Sequence, residues 1–363
     1  MGFKMCAATL LLVSVSLGVA ARAQDTATAK TGSRPMTLRV SVESKSGTPV
    51  ANLSAADFRV LDNKAEQRIT SFHALSGPEA QAEVIVVLDS VNVPYSRVAY
   101  ARQEIDRALT ANDGRLPQPT ALGVLEDRGI QIQPGFTTDG NSLKAALDNY
   151  TVSLRTITRS AGFYGAEDRL NISLSAMRML ITREAERPGR KVIVWISPGW
   201  PLLGGPSVTL SSAQRRGIFD QVVALSTQMR EGGITVDAVN PLGAAENVGY
   251  VNYYQSFLKG VEKPSEVDLG DLGLQVLAIQ SGGLVLNGSN DVRGLLQRCF
   301  AQLRGTYDLS IEAAPGERPN EYHQLQVKVT RPGLTAHAST GYYARPSFDP
   351  AAQRVPVPVG GTK

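Results

Sequence analysis

The sequence predicts an α/β fold, in which a doubly wound, mostly parallel sheet is inserted into a small β-sandwich. The first observation is a pair of β-branched runs, residues 84–88 and 192–196, which are apolar on both faces as central parallel strands are. The second is the alternation of strand and helix patterns across residues 82–303, which indicates helices on both faces of one sheet. The third is a return to β patterns on both flanks.

The central elements follow from local signals. Before the second apolar run, the patterns predict a helix at 96–111, strands at 121–126 and 129–133, and helices starting at Asn141 and, with Asp168 as the N-cap, at 169. After it they predict a helix from Ser211 or Ser212 that ends at Gly232 and Gly233, a strand at 234–239, a helix at 272–280, a strand at 283–287 and a helix from Asn290 or Asp291.

The two flanks read as β structure. Residues 36–75 and 306–344 show alternating apolar positions separated by turn signals. Neither flank contains enough strands to bury a core by itself. We therefore expect residues 36–78 and 305–345 to pair into one sandwich, with the α/β domain at 79–304 inserted between them.

The termini resemble targeting and tail segments. Residues 1–23 combine Lys4, an apolar stretch and a small-residue cleavage site, which predicts a signal peptide and an exported protein, either periplasmic or secreted. A polar linker at 24–35 follows, and the proline- and glycine-rich residues 346–363 are expected to be a disordered tail. Cleavage would leave Cys299 as the single cysteine, so no internal disulfide is expected.

Charge and motifs exclude several classes of function. A formal net charge of +4 gives no indication of nucleic-acid binding, and no later apolar run is long enough to span a bilayer. Nucleophile-elbow, dinucleotide, P-loop and zincin spacings are absent from the sequence. His73, His323 and His337 all fall in the β flanks, and Cys299 lies on an apolar helix face, so we expect no enzyme activity.

Several segments support a family resemblance through their order along the chain. They are GTPV at 47–50, LSAADFRVLDN at 53–63, the two apolar runs, LAIQSGG at 277–283, LRGTYDL at 303–309, VKVTRPGL at 327–334 and GYYA at 341–344. In this order they resemble the acidobacterial von Willebrand factor A-related family of exported proteins. The resemblance implies a vWA-like fold and a non-enzymatic role in protein binding or adhesion outside the cytoplasm.

The resemblance also implies where a metal site would lie. The vWA pattern is Asp-x-Ser-x-Ser after the first strand and an acidic turn after the fourth. Asp89 matches the first position, but Val91 and Val93 take the serine positions and Pro198 stands where the second carboxylate should be. We therefore expect no metal cofactor, and interpret Asp89 as a strand-end carboxylate that accepts backbone N–H bonds.

An alternative keeps a metal at the same place. Ser90 and Asn92 could supply oxygens beside Asp89, with Glu167 or Asp168 as a further carboxylate, which would make a Mg²⁺-dependent adhesion domain with unconventional ligands.

Two long aromatic connections are the candidate binding segments, at residues 150–167 and 241–270. They would either carry binding residues or fold back as short helices that cap the sheet. At the carboxyl edge, where doubly wound sheets place their crevice, Trp200, Tyr253 and Tyr254 are the predicted anchors for an unidentified extracytoplasmic protein, whereas Trp195 is expected in the core.

Overall fold

A computed structural model describes residues 34–150, 162–203, 209–243 and 252–344. The predicted signal peptide and tail lie outside the described residues. So do all but the last residues of the predicted linker, the centre of the first aromatic connection and part of the second. Within the described ranges, no helix combines the length and apolarity needed to cross a membrane.

The elements alternate along the chain. The N-terminal flank forms β1 (Arg34–Ser44), β2 (Phe58–Asp62), β3 (Ala65–Gln67) and β4 (Ser71–Ala74). The middle forms β5 (Ala82–Asp89), α1 (Tyr95–Leu109), β6 (Arg115–Glu126), β7 (Gly129–Ile132), β8 (Thr137–Asp139), α2 (Gly140–Asn149), α3 (Phe163–Ala185), β9 (Arg190–Ile196), α4 (Ser212–Glu231), β10 (Ile234–Val239), α5 (Leu274–Gln280), β11 (Val285–Leu286) and α6 (Val292–Gln302). The C-terminal flank forms β12 (Thr306–Ala313), β13 (Glu321–Val329), β14 (Leu334–His337) and β15 (Gly341–Ala344).

A seven-stranded sheet occupies the middle of the molecule. Its strand order is β11-β10-β9-β5-β6-β7, and β8 also pairs with β6. The five strands from β11 to β6 are parallel, while β7 and β8 run antiparallel to β6. The predicted mixed α/β fold with a mostly parallel, helix-covered sheet is confirmed.

Two apolar clusters cover the two faces of this sheet. Ile85 and Val87 of β5 face the cluster that contains α3 and α4, whereas Val84 and Val86 face the one that contains α1 and α6. Trp195 has no exposed surface and lies in the first cluster, as expected. Because alternate residues of β5 enter different clusters, the strand has to be apolar on both faces.

The flanking strands form two four-stranded sheets that share one core. One sheet has the order β14-β1-β12-β4 and the other β15-β13-β2-β3, so each contains strands from both ends of the chain. Alternate residues of β1, including Leu38 and Val40, are buried against Phe58 and Leu325 of the facing sheet. Antiparallel pairing of β1 with β12 places Val40 opposite Tyr307.

The predicted helix boundaries are observed for α4 and are wrong at the start of α3. Ser211 caps α4 through its reciprocal bonds with Gln214, and Gly232 follows the last helical residue, as predicted. For α3 the predicted N-cap at Asp168 is wrong, because the helix already begins at Phe163, after Gly162. Asp168 is exposed within the helix, where its carboxylate is hydrated and does not compete for the backbone.

Candidate functional site

The carboxyl edge of the parallel sheet is the candidate site, since open α/β sheets bind ligands there. Asp89 ends β5 at this edge, and Ser197 follows the neighbouring strand β9. The turn after β5 contains Asn92, whose side-chain amide donates to Ser173 of α3 at 2.8 Å. The ends of two strands and the middle of one helix therefore meet at Asp89.

The carboxylate of Asp89 is saturated with hydrogen bonds. Its Oδ1 accepts from the backbone N–H groups of Val91 (2.9 Å) and Asn92 (2.8 Å). Its Oδ2 accepts from Nδ2 of Asn92 (2.8 Å) and Nε1 of Trp195 (3.0 Å). A carboxylate has about four lone-pair positions, so these four bonds leave no oxygen directed at a cation.

Burial sets the electrostatics of this carboxyl. Asp89 has no exposed surface, and desolvation raises its pKa above the ordinary value, against the lowering effect of the hydrogen bonds from Asn92 and Trp195. No Lys or Arg side chain forms an ion pair with it in the part of the chain that the structure describes. Hydrogen bonds from neutral groups, including Asn92, Trp195 and Ser197, favour the charged form, which is the arrangement of a structural acceptor.

Ser90 and Asn92, two of the other proposed metal ligands, form hydrogen bonds within the protein. Ser90 donates its hydroxyl to the carbonyl of Leu125 at 2.5 Å, which directs it into the sheet. Asn92 uses its amide N–H groups on Asp89 and Ser173, and its Oδ1 is buried without a partner among the described residues. Glu167 and Asp168 are exposed on α3, and of the described groups beside Asp89 only this amide oxygen is free for a cation that takes six to eight oxygens, waters included.

The positions of the two missing serines are part of the core. Val91 and Val93 have no exposed surface and pack into the clusters on opposite faces of the sheet. Across the described ranges, no group of three or more His, Cys, Asp or Glu side chains is arranged to hold a metal ion.

Trp200 is not at the surface. Only 4 % of it is exposed, and its ring packs edge-on against Trp195 with 5.4 Å between the ring centroids. The prediction that Trp200 is an exposed anchor is therefore wrong. The physical reason is that the turn after β9 folds the indole back over the sheet, where it adds a large apolar area to the core.

Tyr253 joins the second aromatic connection to the same turn. It begins a short 3₁₀ helix, Tyr253–Phe257, and its hydroxyl donates to Oε1 of Gln275 at 2.8 Å. Nε2 of Gln275 donates to the carbonyl of Pro198 at 3.0 Å. A side chain at Gly199 would collide with this amide, since an added Cβ would lie 2.8 Å from Nε2 at a φ of +122°.

The aromatic rings of this segment pack against one another. Burial raises the pKa of Tyr253, and its ring contacts those of Tyr254 and Phe257 at 6.3 Å each. Tyr254 keeps partial exposure. Two alternatives were predicted for this connection, binding residues or a short helix that caps the sheet. Residues 252–257 form a short helix with its N-cap.

Three exposed aromatic side chains do lie at the carboxyl edge. They are Tyr95 (74 % exposed), Phe163 (49 %) and Tyr164 (76 %), and we call them the edge aromatics. Tyr95 begins α1 directly after the β5 turn, and the rings of Phe163 and Tyr164 are 6.0 Å apart at the start of α3.

The geometry of α3 explains why Phe163 and Tyr164 project. Because Ser173 is bonded to Asn92 at the sheet edge, the helical residues before Ser173 extend beyond that edge, by about 15 Å at 1.5 Å per residue. Phe163 and Tyr164 belong to the first aromatic connection predicted from the sequence. Tyr95 was missed, although its position just after Pro94 in the turn following β5 was a usable signal.

The chain resembles known proteins only at the level of distant structural similarity. No family model matches the chain, and no curated protein matches it. A proximal thread matrix protein from the mussel byssus is 14% identical, with 62% of this chain and 48% of that chain covered and a TM-score of 0.30. A minor pilin from Streptococcus sanguinis is 8% identical over 76% and 79% of the two chains, with a TM-score of 0.31.

A pilus adhesin from Lactobacillus rhamnosus GG is 7% identical over 82% of this chain and 48% of that chain, with a TM-score of 0.35. The chain spans about half the length of this adhesin and of the thread matrix protein. Similarities at these TM-scores carry no argument about function.

Proposed function

We propose that this chain is an exported, non-enzymatic protein-binding module with a vWA-like α/β domain, and that it binds its partner without a metal ion. Two observations carry the proposal: the edge aromatics are exposed at the carboxyl edge of the sheet, and the carboxylate of Asp89 at that edge is already hydrogen-bonded. The edge at which α/β sheets bind ligands therefore offers aromatic contact area, and its strand-end carboxylate is already engaged.

Exposed aromatic rings favour a protein partner. Large apolar side chains are normally covered, and tyrosine is enriched at interfaces because it gives a large contact area with one polar end. Tyr95, Phe163 and Tyr164 are three of the four most exposed large apolar side chains in the described ranges. The fourth, Met179, lies near the other end of α3.

The positions of the histidines support a non-enzymatic role. His73, His323 and His337 lie in β4, β13 and β14 of the sandwich. A hydrolytic relay at Ser90 or Ser197 would need a histidine at the carboxyl edge as its general base. His323 instead bonds Asp62 at 2.9 Å within the sandwich, where it is buried and stacked on Tyr342.

The metal-dependent alternative is less favoured. It would require Asp89 to exchange four hydrogen bonds for a cation, and the buried N–H groups of Val91 and Trp195 would then lose their acceptor. No observation on Ser90 or Asn92 compensates for that loss.

Site-specific cross-linking tests the proposal. A photoreactive benzoylphenylalanine in place of Tyr164 should cross-link a protein from the native periplasmic or secreted fraction, and EDTA should not change the yield. The matched control carries the same group at Met179, which is exposed on the same helix about 22 Å away. Equal yields at the two positions, or a yield that EDTA abolishes, would contradict the proposal.

A further inference from the structure

A groove of about 630 Å³ lies at the opposite edge of the parallel sheet. The first residues of β9 and β10 line the groove on the side of the parallel sheet. Thr37 and Arg39 of β1 and Asp308 of β12 line it on the side of the flanking β-sheets. Small-molecule sites commonly have volumes of roughly 300–1,000 Å³ and lie at such junctions. The groove is separate from the carboxyl edge.

Arginine side chains line this groove, and most have carboxylate partners. Arg39 makes a two-bonded pair with Asp308, at 2.9 Å and 3.1 Å. Arg187 is paired with Glu83 at 2.6 Å. Arg230 is paired with Glu231 at 3.2 Å. Their positive charges are therefore largely neutralised within the protein.

Arg190 differs from these three. It is 8 % exposed, and it donates to two neutral oxygens, the carbonyl of Ala80 and Oγ1 of Thr306, both at 3.1 Å. Its Nε–H is buried and has no hydrogen-bond partner among the described residues. Nor does any carboxylate of the described ranges come within ion-pair distance of it. A buried guanidinium without a counter-charge is costly unless an anion accompanies it.

The surroundings add to the positive potential at Arg190. Burial and the nearby charge of Arg39 both lower the pKa of Arg190, which falls to about 10. The carboxylate of Asp308 raises this pKa and so acts against them. Asp308 cannot serve as a full partner, because both of its oxygens are bonded to Arg39.

A small polar recess continues from the groove. It has a volume of about 30 Å³, and it shares Arg39, Arg190, Gly233 and Thr235 with the groove wall. Ser41, Thr306, Lys191 and the carboxyl of Asp237 also line it. The recess is large enough for one water-sized group, so one oxygen of a bound anion would fit beside the guanidinium.

We propose that the groove is a binding site for a small oxyanion, such as a phosphate or a carboxylate group, with the Nε–H of Arg190 as its buried donor and Arg39 as a second positive charge. The guanidinium fork matches the planar or tetrahedral oxygen arrangement of such groups. The site is independent of the binding function proposed for the carboxyl edge.

NMR of the full-length chain with ¹⁵N-labelled arginine tests the proposal directly. The Nε–H resonance of Arg190 should move saturably as inorganic phosphate is added, and chloride at the same ionic strength should not reproduce the movement. An acetate arm distinguishes the two anion classes: movement with acetate as well assigns the site to oxyanions in general, and movement with phosphate alone assigns it to phosphate groups. Absence of saturation with both, or an equal response to chloride, would overturn the proposal.

A variant pair adds a second readout. Phosphate affinity measured by calorimetry should fall by about tenfold or more for Arg190→Gln, because a charge-assisted bond in a buried site is lost. The matched control Arg230→Gln lines the same groove and should stay within about twofold of the wild type. Equal losses in the two variants would mean that only the general field of the groove attracts anions. Should Arg190→Gln fail to fold, the wild-type titration alone decides.

Discussion

The indole Nε1 of Trp195 donates a 3.0 Å hydrogen bond to the carboxylate of Asp89, and neither residue has exposed surface. The bond joins the ends of two neighbouring strands, β5 and β9, at the edge where a vWA-type metal site would lie. The bond engages one oxygen of the carboxylate that matches the first position of the vWA metal-site pattern.

Replacing Asp89 by Ala should destabilise the fold. The buried N–H groups of Trp195 and Val91 would lose their acceptor, so we expect the free energy of unfolding to fall by roughly 2–4 kcal/mol. Urea unfolding followed by fluorescence measures this. Asp127→Ala, an exposed acid after the adjacent strand β6, is the matched control and should change stability by less than about 0.5 kcal/mol. Unchanged stability of the Asp89 variant would show that the carboxylate is not a structural acceptor.

The pH dependence of stability should report on Asp237. Burial raises the pKa of this carboxyl from 3.8 to about 6, so the protonated form is favoured in the folded state. Its stabilising contribution is therefore complete below pH 3.8 and is lost as the pH rises through about 6. In the wild type, Oδ1 of Asp237 accepts a hydrogen bond from the N–H of Leu284 at 2.8 Å. Asp237→Asn removes the titration and still offers an oxygen to this N–H.

The stability of Asp237→Asn relative to the wild type should consequently increase between pH 4 and pH 7, by up to about 3 kcal/mol. Denaturant unfolding at several pH values measures the difference. A difference that is constant across this range would mean that the pKa of Asp237 is not raised.

Tyr253→Phe should reduce stability without changing partner binding. The variant leaves Oε1 of Gln275 without its buried donor, at a cost of about 1–3 kcal/mol. Thermal unfolding and surface plasmon resonance, measured on the same preparation, separate the two effects. Tyr254→Phe is the control, because the hydroxyl of Tyr254 has no hydrogen-bond partner among the described residues. Weaker binding at full stability would restore Tyr253 as a contact residue.

The two flanks should fold as one unit. β12 pairs with both β1 and β4, so removal of residues 305–363 takes away the central partner of the N-terminal strands. Amide exchange should then show that β1–β4 have lost their protection. A chain that ends at Ala344 is the control and should keep it. Persistent protection in the larger deletion would show that the N-terminal flank folds alone.

Local signals predicted much of the fold. The apolar run of β5 and the Ser211 cap of α4 act over a few residues, so their elements are found where the sequence indicates. The start of α3 was placed too late, because the Asp168 cap signal competes with a helix that continues through it. The mostly parallel sheet followed from the order of the elements.

The site was harder to predict because burial depends on tertiary packing. Trp200 is covered because it packs on Trp195, a contact that no local pattern encodes. The exposure of Tyr164 depends on how far α3 extends beyond the sheet, which the Asn92–Ser173 bond fixes. The sequence around Arg190 predicts a strand, and this pattern does not indicate whether the guanidinium has a carboxylate partner.

A metal-independent contact through the edge aromatics can be checked by measuring affinity for the cross-linked partner with surface plasmon resonance, in EDTA and again in millimolar Mg²⁺. We expect the same dissociation constant in both solutions for the wild type. Tyr164→Ala should lose about 1–3 kcal/mol of binding free energy, with its thermal midpoint unchanged. Met179→Ala should bind as the wild type does. Binding that disappears in EDTA, or that Tyr164→Ala leaves intact, would contradict a metal-independent contact through the edge aromatics.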